Sequence, residues 1–177
     1  MIRCRDGRNG FTLVELMVTL AVGIVLVLIG IPSYTAMVQR NALASELNAF
    51  SAQLQLARAE ALKRNATVIL CPGAIGGECK GSEDDGWWSF SRFVWIDDNS
   101  DGQIDADEVI NEKASRVDGL KIEAANPSPA PDALTFDPKG LLDTRFASFT
   151  FAYAGGANRC LSVSLSGSAS VLEGVCP

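Results

Sequence analysis

Residues 97–108 read D-D-N-S-D-G-Q-I-D-A-D-E. They match the twelve-residue pattern D-x-[DN]-x-[DN]-G-x5-E, whose oxygens wrap Ca²⁺. Asp97, Asn99 and Asp101 offer side-chain oxygens at alternate positions. Gly102 permits the sharp turn, and Gln103 would contribute its backbone carbonyl. Asp105 would bind directly or through a water, and Glu108 with both oxygens, towards the six to eight ligands that calcium takes. The incoming segment, 93–96, reads as a strand, whereas a true EF-hand enters through a helix. An acidic turn that holds no metal is the competing reading.

A second candidate is a lone carboxylate. Glu15 lies five residues into an apolar run that opens after Gly10 and reaches Ile31. A short basic leader precedes the run, with Arg3, Arg5 and Arg8. The run is about twenty residues, long enough to span a bilayer. A carboxylate at the centre of such a helix costs about 2.5–3.5 kcal/mol and less near its end, so Glu15 demands a partner of opposite charge.

Cysteine is the third chemical feature. Of five cysteines, Cys4 lies in the leader, leaving Cys71, Cys79, Cys160 and Cys176. An even number in an exported domain suggests two disulfides. Three pairings are possible. Cys71–Cys79 and Cys160–Cys176 are expected, because each closes a short local loop. Free buried thiols are the alternative, and the spacing does not suit zinc.

Other chemistry lacks its parts. The chain has no histidine, which weakens imidazole acid–base chemistry and His-ligated zinc. The serines of 162–170 have no evident base. No cofactor is required, and the Ca²⁺ loop is the one candidate. The formal net charge is -6 over 177 residues. The leader carries three Arg and one Asp, so its removal takes away +2 and leaves -8. Such a domain is a poor general partner for nucleic acid. Trp87, Trp88 and Trp95 have strand spacing and are expected in the core.

The elements that must position these residues fall into four parts. Residues 1–10 form the basic leader, expected to stay cytoplasmic. Residues 11–32 form the apolar helix, with Pro32 expected to bend it. Residues 33–64 continue as an amphipathic helix. Leu43, Leu47, Phe50, Leu54, Ala57 and Ala61 recur at steps of four and three, one helical face, with Glu46 and Gln53 placed elsewhere. Residues 65–177 form a β-rich head. Strands are expected at 67–70, 88–96, 108–111, 120–124, 134–136, 148–153, 160–165 and 171–175, with a proline-rich loop at 126–132. One long helix followed by strands predicts an α+β fold, the second half of the helix packing on an antiparallel sheet.

With Gly10, Phe11, Thr12, Leu13, Glu15, Leu16 and Pro32 in view, the chain resembles the type IV pilin and type II secretion pseudopilin superfamily. The resemblance implies cleavage by a prepilin peptidase between Gly10 and Phe11, then N-methylation of Phe11. It implies that Glu15 neutralises the N-terminal ammonium of a neighbouring subunit, as burial of two opposite charges requires. It also implies a bacterial inner-membrane anchor with a periplasmic C-terminus, and partnership with an assembly platform and other pilins. The head narrows this further. A-R-A-E-A at 57–61, K-R-N at 63–65, Gly86-Trp87-Trp88, F-V-W-I-D at 93–97 and Asp101-Gly102 resemble the GspH/FimT minor pilins and pseudopilins. In that group an Asp-Asn-Asp-Gly turn between strands carries no implication of metal. Some FimT-type pilins bind DNA through G-R-x-R. The matching residues here are Gly167-Ser168-Ala169-Ser170, so DNA binding is not expected. The resemblance implies a structural, non-enzymatic subunit that helps initiate or cap a type IV pilus at its tip. A minor pseudopilin of a type II secretion system is the alternative, and a DNA-uptake or calcium-dependent adhesive tip pilin a lesser one.

Overall fold

A computed structural model describes residues 11–79, 87–89, 91–113, 118–126, 132–143, 146–153 and 156–176. Gly10 lies outside them, as do the side chains of Pro32 and Trp87. The chain divides into two compact units, Met1–Val38 and Gln39–Pro177.

One helix, α1 (Leu13–Arg64), supplies all of the α-helix among the described residues. Its start is capped: Thr12 Oγ1 accepts a hydrogen bond from the Glu15 amide at 3.2 Å. This is the T-x-x-E spacing of a capping box, and the acid in the first turn also favours the helix dipole. Its end is marked by Lys63 and Arg64 in the last turn and by Asn65 at a positive φ of 51°.

In the first unit no described residue covers the helix between 11 and 28. Every side chain from 11 to 28 is exposed, and residues 13–28 include twelve large apolar ones. The helix is long and apolar enough to cross a membrane.

In the second unit the helix becomes one wall of a core. Leu43, Leu47, Phe50, Leu54, Ala57 and Ala61 are all buried, as their spacing predicted. Against them stand two four-stranded antiparallel sheets rather than the single one expected. The first has the order β3 (Val109–Lys113), β2 (Arg92–Trp95), β1 (Val68–Pro72), β5 (Leu134–Phe136). The second has the order β4 (Leu120–Asn126), β6 (Phe146–Tyr153), β7 (Asn158–Ser164), β8 (Ala169–Glu173). Both contribute to one cluster, with Leu70, Val94 and Phe136 from the first and Ile122, Phe149, Phe151 and Val163 from the second. Phe50 is its centre. Its ring lies 4.9 Å from that of Phe149 and 5.6 Å from that of Trp88.

Two expectations need correction. Residues 88–96 are not one strand: Trp87–Ser89 is a 3₁₀ turn, and β2 begins only at Arg92. The Arg92 guanidinium donates to the Trp88 carbonyl at 2.9 Å, and Ser89 Oγ accepts from the Ile122 amide at 2.7 Å. Those bonds favour a curled chain over an extended one. Glu46 and Gln53, expected off the buried stripe, are 4% exposed each. Arg92, 1% exposed, is the reason. It meets Glu46 at 2.9 Å and Gln53 Oε1 at 3.0 Å, and lies 5.1 Å over the Phe50 ring. Lys113 adds a second cation to Glu46 at 3.2 Å. Burying a charge is tolerable when it is paired and hydrogen-bonded.

Candidate functional site

Two regions carry the chemistry read from the sequence. The first is the start of α1. Phe11 is 80% exposed and Glu15 is exposed too, the one charged residue on the helix surface between 11 and 28. Beyond the Thr12 cap, Glu15 has no cation beside it among the described residues. The peptide sequence makes the cap legible in advance, since T-x-x-E before an apolar run is a helix-start signal. Glu15 is therefore the third residue of its helix.

The second is the acidic loop between β2 and β3. Each end is tied to the first sheet, because the Ile96 amide donates to the Glu108 carbonyl at 3.2 Å. In the middle Ile104 is fully buried with Cys71, Phe93 and Trp95 in a second small cluster. The Ile104 amide donates to the Gly77 carbonyl and its carbonyl accepts from the Gly76 amide, both at 2.9 Å. Gly76 and Gly77 belong to the segment closed by the Cys71–Cys79 disulfide. The cystine loop and the acidic loop thus hold each other over the outer face of β1 and β2. This explains why all four residues of β2 are buried.

The loop's oxygens turn inward on its own backbone. Asp97 accepts from the amides of Asp101 and Gly102, at 3.1 and 3.2 Å. Asn99 Oδ1 accepts from the Asp101 amide, and Asp101 Oδ1 from the Gln103 amide. Glu108 Oε1 accepts from the amides of Asp98 and Asn99, at 2.9 and 3.1 Å. The Asn99 amide nitrogen bridges Asp101 and Asp105. Gly102 takes φ +75°, the left-handed turn its position requires. Among the described residues, no group of three or more Asp, Glu, His or Cys converges as a metal site. The Asn99 side-chain amide lies between the Asp101 and Asp105 carboxylates, within hydrogen-bond distance of both. The other side-chain hydrogen bonds join the loop to its own backbone.

The four cysteines downstream of the leader form Cys71–Cys79 and Cys160–Cys176, with Cα separations of 5.5 and 4.9 Å. The second ties the end of β8, exposed along its whole length, back to β7. Trp88 and Trp95 are core residues, each 1% exposed, and Trp95 Nε1 points at Cys71 Sγ. At the β7–β8 turn, Ser164, Ser166 and Ser168 hydrogen-bond to one another, and no base stands among them. Sequence reasoning missed Arg92 and its partners. An isolated arginine in an apolar stretch was the available signal.

Comparison with known proteins agrees with this architecture. Residues 46–168 match the family model of the type II transport protein GspH, and residues 5–31 match the prokaryotic N-terminal methylation motif. Among curated proteins none matches the sequence. Among solved structures, the type IV minor pilin FimU of Pseudomonas aeruginosa is similar at TM-score 0.57 and 22% identity. That match covers 78% of this chain and 91% of FimU. The minor pseudopilin EpsH of the Vibrio cholerae type 2 secretion system is similar at TM-score 0.50 and 13% identity, covering 73% and 95%. At these identities the likeness is one of fold. The family match spans more than half of the sequence, and with the methylation motif ahead of it the chain belongs to the GspH family, within the type IV pilin and pseudopilin superfamily.

Proposed function

We propose that this protein is a non-enzymatic minor pilin that helps to initiate or cap a type IV pilus. The observation that carries the reading is the apolar surface of residues 13–28, which no described part of the chain covers. Such a surface needs lipid first and other helices afterwards. In this reading the chain inserts in the bacterial inner membrane with its head in the periplasm. Prepilin peptidase cuts between Gly10 and Phe11, and Phe11 is N-methylated. The assembly platform then lifts the helix into a bundle of pilins. Glu15 pairs with a neighbour's N-terminal ammonium, which lowers the cost of burying both charges. A bend at Pro32 accommodates the bundle. The head, braced by two disulfides, stands at the tip.

The family description favours a second reading, a minor pseudopilin of a type II secretion system. The assembly chemistry is the same, but the filament drives exported proteins outward. Deletion of the gene separates the two. Loss of surface pili and twitching with exoprotein secretion intact is the outcome expected of a minor pilin. Normal pili with exoproteins trapped in the periplasm would assign it to secretion.

A further inference from the structure

Arg58 is held in place by the fold, yet no described residue pairs with its guanidinium. Its stem lies against two loops: a Cβ on Gly140 would come within 3.2 Å of Arg58 Cγ, and one on Gly167 within 3.5 Å of Arg58 Cδ. Gly167 has φ +71°, and its Cβ would lie 2.6 Å from the Phe136 ring, so no side chain can stand there. The head of Arg58 is idle by contrast. Its Nε is shielded from solvent without a hydrogen-bond partner, and among the described residues the guanidinium makes no ion pair. Its neighbours along the helix differ, since Lys63 and Arg64 both pair with Glu60, at 3.1 and 2.7 Å. A buried donor left unmade is costly, and more so when charged.

A groove of about 410 Å³ opens beside this side chain, between α1 and the β7–β8 turn. Its polar lining residues are Arg58, Gln55 and Ser168, and Ala59 and Leu62 give it an apolar wall. No carboxylate lines it. We propose that the groove receives an aspartate or glutamate side chain from another subunit of the filament, which fills the open positions of the guanidinium. The inference rests on the filament reading above. A carboxylate suits the site because one guanidinium fork matches its two oxygens, with hydroxyl and amide donors beside it. A nucleic acid suits it poorly. A polyanion rewards a track of cations, and here one arginine stands on a chain whose acids outnumber its bases, 21 to 15.

The test is a photo-crosslinking amino acid placed at Ala59 on the groove's wall, in the full chain and in cells that build the filament. A second crosslinker at Leu20, in the apolar helix, reports assembly separately. The Ala59 probe is expected to capture a peptide of another pilin that contains Asp or Glu. Arg58→Met keeps the stem and removes the charge. It should cut that capture about tenfold while the melting temperature moves by no more than about 2 °C. A captured peptide without a carboxylate, capture of nucleic acid, or equal capture from Arg58→Met would overturn the proposal. Capture at Leu20 with none at Ala59 overturns the groove alone. Capture at neither overturns the filament reading with it. The Ala59 result on the otherwise unchanged chain stands whether or not Arg58→Met folds.

Discussion

Arg92 Nη2 lies 2.9 Å from Glu46 Oε2, and both side chains are almost wholly removed from solvent. The pair fastens α1 to the centre of the first sheet, with Gln53 Oε1 and the Trp88 carbonyl accepting from the other two guanidinium nitrogens. Burial lowers the Arg92 pKa, and the hydrogen bond and charge of Glu46 act in the opposite direction. Glu46→Gln leaves a buried guanidinium facing a neutral amide. We expect a loss of about 3–5 kcal/mol, read as a lower denaturation midpoint. Replacing Glu46 and Arg92 together by apolar residues should cost less than Glu46→Gln alone. A double mutant at least as damaged as the single one would remove the pairing argument.

Phe50 is expected to be the most sensitive aromatic position. Phe50→Ala deletes a ring packed against Trp88, Phe149 and Phe151 and the face on which Arg92 rests. The expected loss is about 3–5 kcal/mol in chemical denaturation. A loss below 1 kcal/mol would mean that the centre of the core lies elsewhere.

The two disulfides should differ in worth. Cys160–Cys176 closes a loop of 16 residues and Cys71–Cys79 one of 8. Loop-closure entropy predicts about 3 kcal/mol for the longer and about 2.5 for the shorter. Removing the first pair by double serine substitution should also release β8, visible as rapid amide exchange over 169–173. Protection retained there would show that β-pairing alone secures that strand.

Alkaline pH should reveal Tyr153. Burial raises its pKa, with Glu46 and Asp118 adding to the shift. Because the folded value lies above the unfolded one, the native state keeps its proton longer. That contribution is complete below the unfolded pKa of about 10 and is lost as pH climbs through the folded value. Tyr153→Phe should therefore flatten the fall in melting temperature above pH 10. Identical alkaline curves for the two proteins would count against it.

Processing is checked by mass. The mature chain should begin at N-methyl-Phe11, and Glu15→Gln should leave the head's melting temperature unchanged while the protein drops out of isolated filaments. Normal incorporation of Glu15→Gln would detach assembly from that carboxylate.

Much of this fold could be read from residue spacing, and the failures share a cause. The stripe from Leu43 to Ala61 predicted its own burial because helical periodicity is a local property. The short strand Leu134–Phe136 was equally plain. Glu46 and Gln53 were misplaced because their burial depends on Arg92, roughly forty positions away in sequence, and no local pattern encodes such a partner. The division into two sheets was hidden for the same reason: each strand shows its period, but not its neighbour. In the acidic loop the spacing of oxygens suggested an ion. Their orientation towards the loop's own amides, with Ile104 buried beneath, is a detail that spacing alone does not carry.

The bare helix of residues 13–28 has one more consequence. Hydrocarbon tails and packed Leu, Val and Ile side chains are nearly equivalent solvents for it. Moving such a helix from bilayer to filament core changes its hydrophobic free energy little in either direction. A polymer built on that exchange can be taken apart as readily as it grows, with its subunits returned intact to the membrane. In the proposed filament the direction of travel would then be set by the assembly platform and by the Glu15 carboxylate, rather than by any liking of the helix for one medium over the other.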